Sequence, residues 1–246
     1  MEPLPPAPPF LRYACPRAGG PVRIDGDIHK PVWQGVPWTD DFVDIEGELK
    51  PRPRFRTRAK MLWDDRAFYI AAEMEEPHVW ATLTERDSVI FHDNDFEVFL
   101  NPTRDSLNYY ELEINALNTV WDLLLRKPYR AGGQADNSWD VSGLETAVRV
   151  RGTLNDPRDV DHGWDVEIAM PWAAFDAHTS RPGPPRPGDT WKVNFSRVEW
   201  DVEIDPSTPS GYRKIPNRRE HNWVWSPMGF IDMHLPDRWG EVEFRA

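Results

Sequence analysis

The chain has one cysteine, Cys15, in 246 residues, and a lone thiol forms neither an internal disulfide nor a cysteine-rich zinc site. It has no run of 18 apolar residues, so nothing in it reads as a bilayer-spanning helix. Cations are the minority charge: 29 Lys and Arg stand against 41 Asp and Glu, for a net charge of -12 and a pI near 5.0. That balance argues against nucleic acid and anionic membranes as partners, because a phosphate-binding face needs clustered Lys and Arg. The seven histidines never fall at i, i+4 or beside a cysteine, which leaves zinc without a ligand pattern. No G-x-S-x-G motif occurs, and Cys15 lies in a Pro-rich stretch, so nucleophilic triad catalysis has no support. Residues 1–10 carry no basic n-region and no apolar h-region. As it stands the sequence suits the cytoplasm; with a leader trimmed, it suits the periplasm or the extracellular space.

What the chain does have is proline, tryptophan and short alternating runs: 25 Pro, 13 Trp and 39% hydrophobic residues. Phe55 to Trp63 and Ala67 to Glu75 alternate around the turn Asp64-Asp65-Arg66, which predicts a hairpin with Phe68, Ile70, Ala72 and Met74 inward. The runs 95–100 and 109–116 alternate too, placing Phe96, Val98 and Leu100 on one side and Asp95, Glu97 and Phe99 on the other. Further strands are expected at 22–24, 119–125, 144–152, 163–170, 191–200 and 241–244. Asp27 reads as the cap of one or two helical turns ending near Trp33, and Pro171 as the start of a single turn. About ten short strands, separated by Pro, Gly, Asn and Asp, predict an all-β antiparallel β-sandwich, with a jelly roll as the nearest alternative. Residues 1–20 form a Pro-rich arm, extended along the domain or loose, and 21–246 a single domain.

The order of short motifs carries a resemblance. Ile24-Asp25-Gly26-Asp27 leads to Trp33; Trp63-Asp64-Asp65 precedes Phe68-Tyr69-Ile70; Asn94-Asp95 precedes Glu97-Val98-Phe99-Leu100; Gly163-Trp164 precedes Glu167-Ile168 and Pro171-Trp172. Together they resemble family 9 carbohydrate-binding modules, and the tail from Asn222 to Gly240 resembles a standalone branch of that family. The resemblance implies a β-sandwich related to DOMON domains, sugar held between tryptophans with polar groups on its hydroxyls, and structural calcium in some members. One position departs from it: Glu113 stands where members that hold sugar reducing ends carry Arg, two residues before Asn115.

A pyranose presents a C–H face that packs on an aromatic ring, and hydroxyls that pair with carboxylates, amides and Arg. Glu111, Glu113 and Asn115 on one strand, with Asn194, Arg197 and Glu199 on an expected neighbour, are the polar candidates. Trp121, Trp200, Trp223 and Trp225 are the stacking candidates. The plain alternatives are core packing for the tryptophans and an internal ion pair for Arg197 with Glu199. Asp93 and Asp95 offer oxygen ligands for calcium, although no closing Glu follows at EF-hand spacing. The expected function is therefore non-catalytic carbohydrate binding on an acidic, Trp-lined face. A glycosidase or lyase using Glu111 and Glu113, and a protein-docking module, are the competing readings.

Overall fold

A computed structural model describes residues 4–179 and 181–246; Met1 to Pro3 of the arm lie outside the described residues. The strands run, in chain order, β1 Arg12–Cys15, β2 Val43–Asp44, β3 Thr57–Trp63, β4 Ala67–Met74, β5 Asp95–Asn101, β6 Tyr109–Asn115, β7 Val120–Leu125, β8 Ala135–Asp136, β9 Glu145–Arg151, β10 Gly163–Pro171, β11 Thr190–Glu199, β12 Val202–Ile204, β13 Tyr212–Lys214, β14 His221–Val224 and β15 Gly240–Phe244. Among the described residues helix is confined to short 3-10 turns, as the density of Pro and turn residues predicts.

Two sheets face each other across a hydrophobic core. The larger runs β1-β15-β11-β5-β6-β7-β8, with β14 beside β11 and β2 beside β14; the smaller runs β3-β4-β10-β9. β11 is long enough to hold two neighbours along one edge. Thr190 to Val193 pair with β15, and Ser196 to Glu199 pair with β14. Its other edge pairs with β5. Alternation decides what enters the core: Phe96, Val98 and Leu100 from β5, Tyr110, Leu112 and Ile114 from β6, and Phe68, Ile70, Ala72 and Met74 from β4 are all buried in one cluster. Full burial of such side chains contributes roughly 1.5–3 kcal/mol each. The basic run that precedes and enters β3 pairs as expected with acids, Arg58 with Glu73 at 2.8 Å and Arg56 with Glu75 at 3.1 Å.

Two local expectations are corrected. Val22 to Ile24 is not a strand: the segment crosses the outer face of the smaller sheet, and the amides of Asp25 and Gly26 donate to the Glu167 carboxylate (2.9 and 3.1 Å) instead of to a neighbouring strand. Asp27 caps no helix. Its carboxylate accepts the His29 amide in a tight turn, and a single 3-10 turn follows at Pro31–Trp33. Of the two alternatives for the arm, the described part runs along the domain: β1 pairs in parallel with β15 from Arg12↔Glu241 to Cys15↔Phe244.

The outer face of the larger sheet is not simply wet. Residues 225–239 fold back over half of it, and Ile45, Phe99, Tyr109, Leu123, Leu125, Val224, Met228, Met233 and Trp239 form a second buried cluster there. The other half stays open as a cleft.

Candidate functional site

Strand register builds the cleft floor in rows. Ser196 pairs with Glu97, Glu97 with Glu113 and Glu113 with Trp121, so four strands contribute one residue each to a single line. The next line holds Asn194, Phe99, Glu111 and Leu123. Period two puts all of them on the side away from the main core. Phe91, Tyr129 and the stretch Ile231–His234 supply walls, closing a cleft of ≈ 340 Å³.

The aromatic groups at its rim are fixed in place. Trp121 Nε1 donates to Asn137 Oδ1 at 3.1 Å. The Trp121 ring lies 6.4 Å from Phe91 at 30°, while Tyr129 and His234 meet edge to face at 4.4 Å. Phe91 is anchored by its amide, which donates to Glu113 Oε2 at 2.9 Å. An indole held at its N–H in the lining of an acidic cleft is a surface on which an amphipathic ring can stack.

The floor is unusual in charge. Asp95, Glu97, Glu111 and Glu113 are each 5% exposed or less, and among the described residues no Lys, Arg or His nitrogen lies within 4.0 Å of any of them. Burial raises all four carboxyls, and the neighbouring carboxylates raise Asp95, Glu111 and Glu113 further. Glu97 is pushed up to about 7. Burial also pushes Tyr129 up to about 12 and His234 down to about 4. Such a floor offers both O–H donors and carboxylate acceptors to a ligand's hydroxyls.

The structure divides the sequence candidates. Glu111, Glu113 and Trp121 line the cleft together. Asn115 does not: it is fully buried, donating to Leu83 O and Asp93 and accepting the amides of Leu117 and Thr119. Asn194 is likewise structural, tying Ser226 through both its backbone groups at 2.8 and 2.9 Å. Arg197 and Glu199 point the opposite way from Asn194, as odd and even positions on a strand must. They meet at 2.8 Å within a buried network with Glu76 and Asn94 that closes one end of the sandwich. Trp223 (3% exposed) and Trp225 (1%) are core, not platforms. Trp200 sits outside the cleft, its Nε1 on Phe91 O and Lys214 over its ring. Glu97, Phe91, Tyr129, Asp232 and His234 are cleft residues that the sequence candidates lacked. Glu97 was available from the alternation of 95–100; the others come from loops whose approach no periodicity encodes.

Asp93 does not fit a metal. Its carboxylate already accepts from Thr82 N, Thr82 Oγ1, Leu83 N and Asn115 Nδ2. The group Asp87, Asp122 and Asp140 is held by Arg86, which bonds Asp122 and Asp140. Asp95, by contrast, groups with Glu97 and Glu113. Among the described residues no helix is long and apolar enough to cross a membrane.

Comparison with known proteins gives the following. The sequence profile described as "Carbohydrate family 9 binding domain-like" matches residues 24–183, more than half of the chain. Among solved structures, a carbohydrate binding module family 9 from Caldicellulosiruptor kristjanssonii in complex with cellotriose aligns with a TM-score of 0.60 at 18% identity, covering 96% of this chain and 94% of that one. The same module in complex with glucose aligns with a TM-score of 0.60 at 18% identity, covering 96% of each chain. A Bacteroides uniformis protein classed as carbohydrate-binding aligns with a TM-score of 0.67 at 16% identity, over 96% of this chain and 99% of that one. At these identities the structures share the fold, an antiparallel β-sandwich. No curated protein matches the chain.

Proposed function

Since the chain belongs to the carbohydrate family 9 binding domain-like family, we propose that it binds a saccharide without transforming it, in the cleft floored by Glu97, Glu111 and Glu113. The observation that carries this reading is the line Glu97–Glu113–Trp121: carboxyl groups in register beside an anchored, partly exposed indole. Trp121 and Phe91 take the C–H face of the ring; the carboxyls accept and donate to its hydroxyls. Glucose and cellotriose, which occupy the Caldicellulosiruptor module, are the first ligands to try. The reading needs no cofactor.

Isothermal titration is expected to give binding in the micromolar to millimolar range. Trp121→Ala and Glu113→Ala each weaken it by about tenfold or more, ~1.4 kcal/mol. Absence of heat with any saccharide at high concentration, or unchanged affinity in both variants, removes the proposal. Hydrolysis by Glu111 and Glu113 has one observation in its favour: both carboxyls are buried and raised, as a general acid requires. Release of product from a chromogenic glycoside, lost in Glu111→Gln, would establish it instead.

A further inference from the structure

The cleft has a neighbour. Ile45, Glu220, Asn222 and Ile231 line the cleft and also line a second hollow of ≈ 410 Å³, so the two adjoin along a shared divide. Ile231 is 58% exposed on that divide. Asn222 stands beside it, and among the described residues its side-chain amide has no hydrogen-bond partner within 3.5 Å. An exposed apolar side chain next to an uncommitted amide suits a ligand that crosses from one hollow to the other, since a sugar presents C–H groups to the first and hydroxyls to the second.

The two hollows differ in charge. The second is walled by Lys50, Arg52, Arg54 and Arg219, drawn from the basic stretch before β3 and from the turn before β14. Part of this charge is already matched. Lys50 takes Glu46 at 3.1 Å, Arg54 takes Glu199 at 3.1 Å and Asp201 at 3.0 Å, and the Asp44 carboxylate accepts the Glu46 amide at 2.9 Å. Arg52 and Arg219 are left over. Among the described residues no carboxylate oxygen lies within 4.0 Å of either guanidinium, although the chain carries a net charge of -12. The remaining acid of the lining, Glu220, stands on the divide, where it helps to raise the Glu97 carboxyl of the cleft. Exposed guanidinium groups with no internal partner are free to take an oxyanion, whose oxygens match their planar fork.

We propose that the hollow beside the cleft is a second subsite that holds a singly charged oxyanion on a sugar, a uronate carboxylate or a sulfate ester, through Arg52 and Arg219. The assignment rests on the saccharide reading and narrows it: the ligand is an acidic oligosaccharide with a neutral unit in the cleft and an anionic unit next to it. The order of the units follows from the charges. An anionic unit in the cleft would meet Glu97, Glu111 and Glu113 with no cation beside them, whereas in the second hollow it meets two unmatched guanidinium groups. Asn222, on the divide, is placed for hydroxyls near the linkage between the units.

The test is isothermal titration of the full chain at low salt with three disaccharides that differ in one group: cellobiose, cellobiouronic acid, in which the terminal hydroxymethyl is a carboxylate, and cellobiose bearing a sulfate ester at that same carbon. At least one of the two anionic forms is expected to bind about fivefold or more tightly than cellobiose, and whichever binds more tightly identifies the oxyanion. The preference should shrink in roughly 1 M salt, which screens exposed charges. Arg52→Gln with Arg219→Gln is expected to bring the ratio of anionic to neutral affinity close to one. Arg104→Gln, at an exposed arginine that pairs with Glu241 and lines neither hollow, leaves that ratio as it was. Equal affinity for all three disaccharides overturns the second subsite while leaving the saccharide reading in place, as does a ratio that survives in the Arg52/Arg219 double variant. No heat from any of the three removes the subsite, and no heat from any saccharide removes the reading beneath it as well.

Discussion

At the scale of single residues, Trp225 separates packing from binding. Its ring lies 5.9 Å from that of Phe195, and it presses on Gly240 so closely that a Cβ there would meet the indole at 2.5 Å. Trp225→Ala is expected to cost ~3–5 kcal/mol in urea unfolding while leaving saccharide affinity of the folded protein intact; stability within 1 kcal/mol of wild type would contradict the core assignment. Parity along a strand was legible: Glu97, Glu111 and Glu113 fall on one side because a side-chain period of two allows nothing else. Whether that side is dry was not. Trp223 and Trp225 look in sequence like Trp121, and only the partners brought from elsewhere, Phe55 and Arg197 for Trp223 and Phe195 for Trp225, decide that they are buried. Asn115 and Asn194 misled for a related reason. A strand amide serves loops as readily as ligands, and sequence does not say which loop arrives.

At the scale of elements, the central strands and the hairpin of β3 and β4 were readable because their pairing is local and their alternation unbroken. β1 was not. It is four residues in a Pro-rich stretch, and it pairs with a strand more than 220 residues later, a contact with no local signature. Its anchor is Tyr13, whose hydroxyl donates to Pro37 O at 2.6 Å and accepts the Met61 amide at 3.1 Å. Tyr13→Phe leaves both backbone groups without that partner, and an unsatisfied buried group costs ~1–3 kcal/mol. Thermal melting should show a fall of about 2–4 °C per kcal/mol for a chain of this size. A Tm equal to wild type would mean that the arm contributes nothing to the sandwich.

At the scale of the whole molecule, the pH response of folding follows from groups whose ionisation differs between folded and unfolded chains. His234 is held neutral, its pKa lowered from 6.5 to about 4 by burial. The unfolded chain therefore binds the proton more tightly, so this contribution is complete above pH 6.5 and is lost as pH falls toward 4. The shift corresponds to ~3 kcal/mol, and exposure at the cleft rim reduces that to about 2 kcal/mol. Denaturant melts between pH 7 and 4 should show this loss, with His234→Gln flattening that part of the profile; parallel curves for the two proteins would exclude it. The stretch 225–239 ties this group to the rest of the molecule. It is at once the roof of the second hydrophobic cluster and, through Ile231 to His234, the rim of the cleft. A guest that touches this rim binds only the closed arrangement of the stretch, so by mass action a saturating guest also makes the cover over the second cluster harder to unfold.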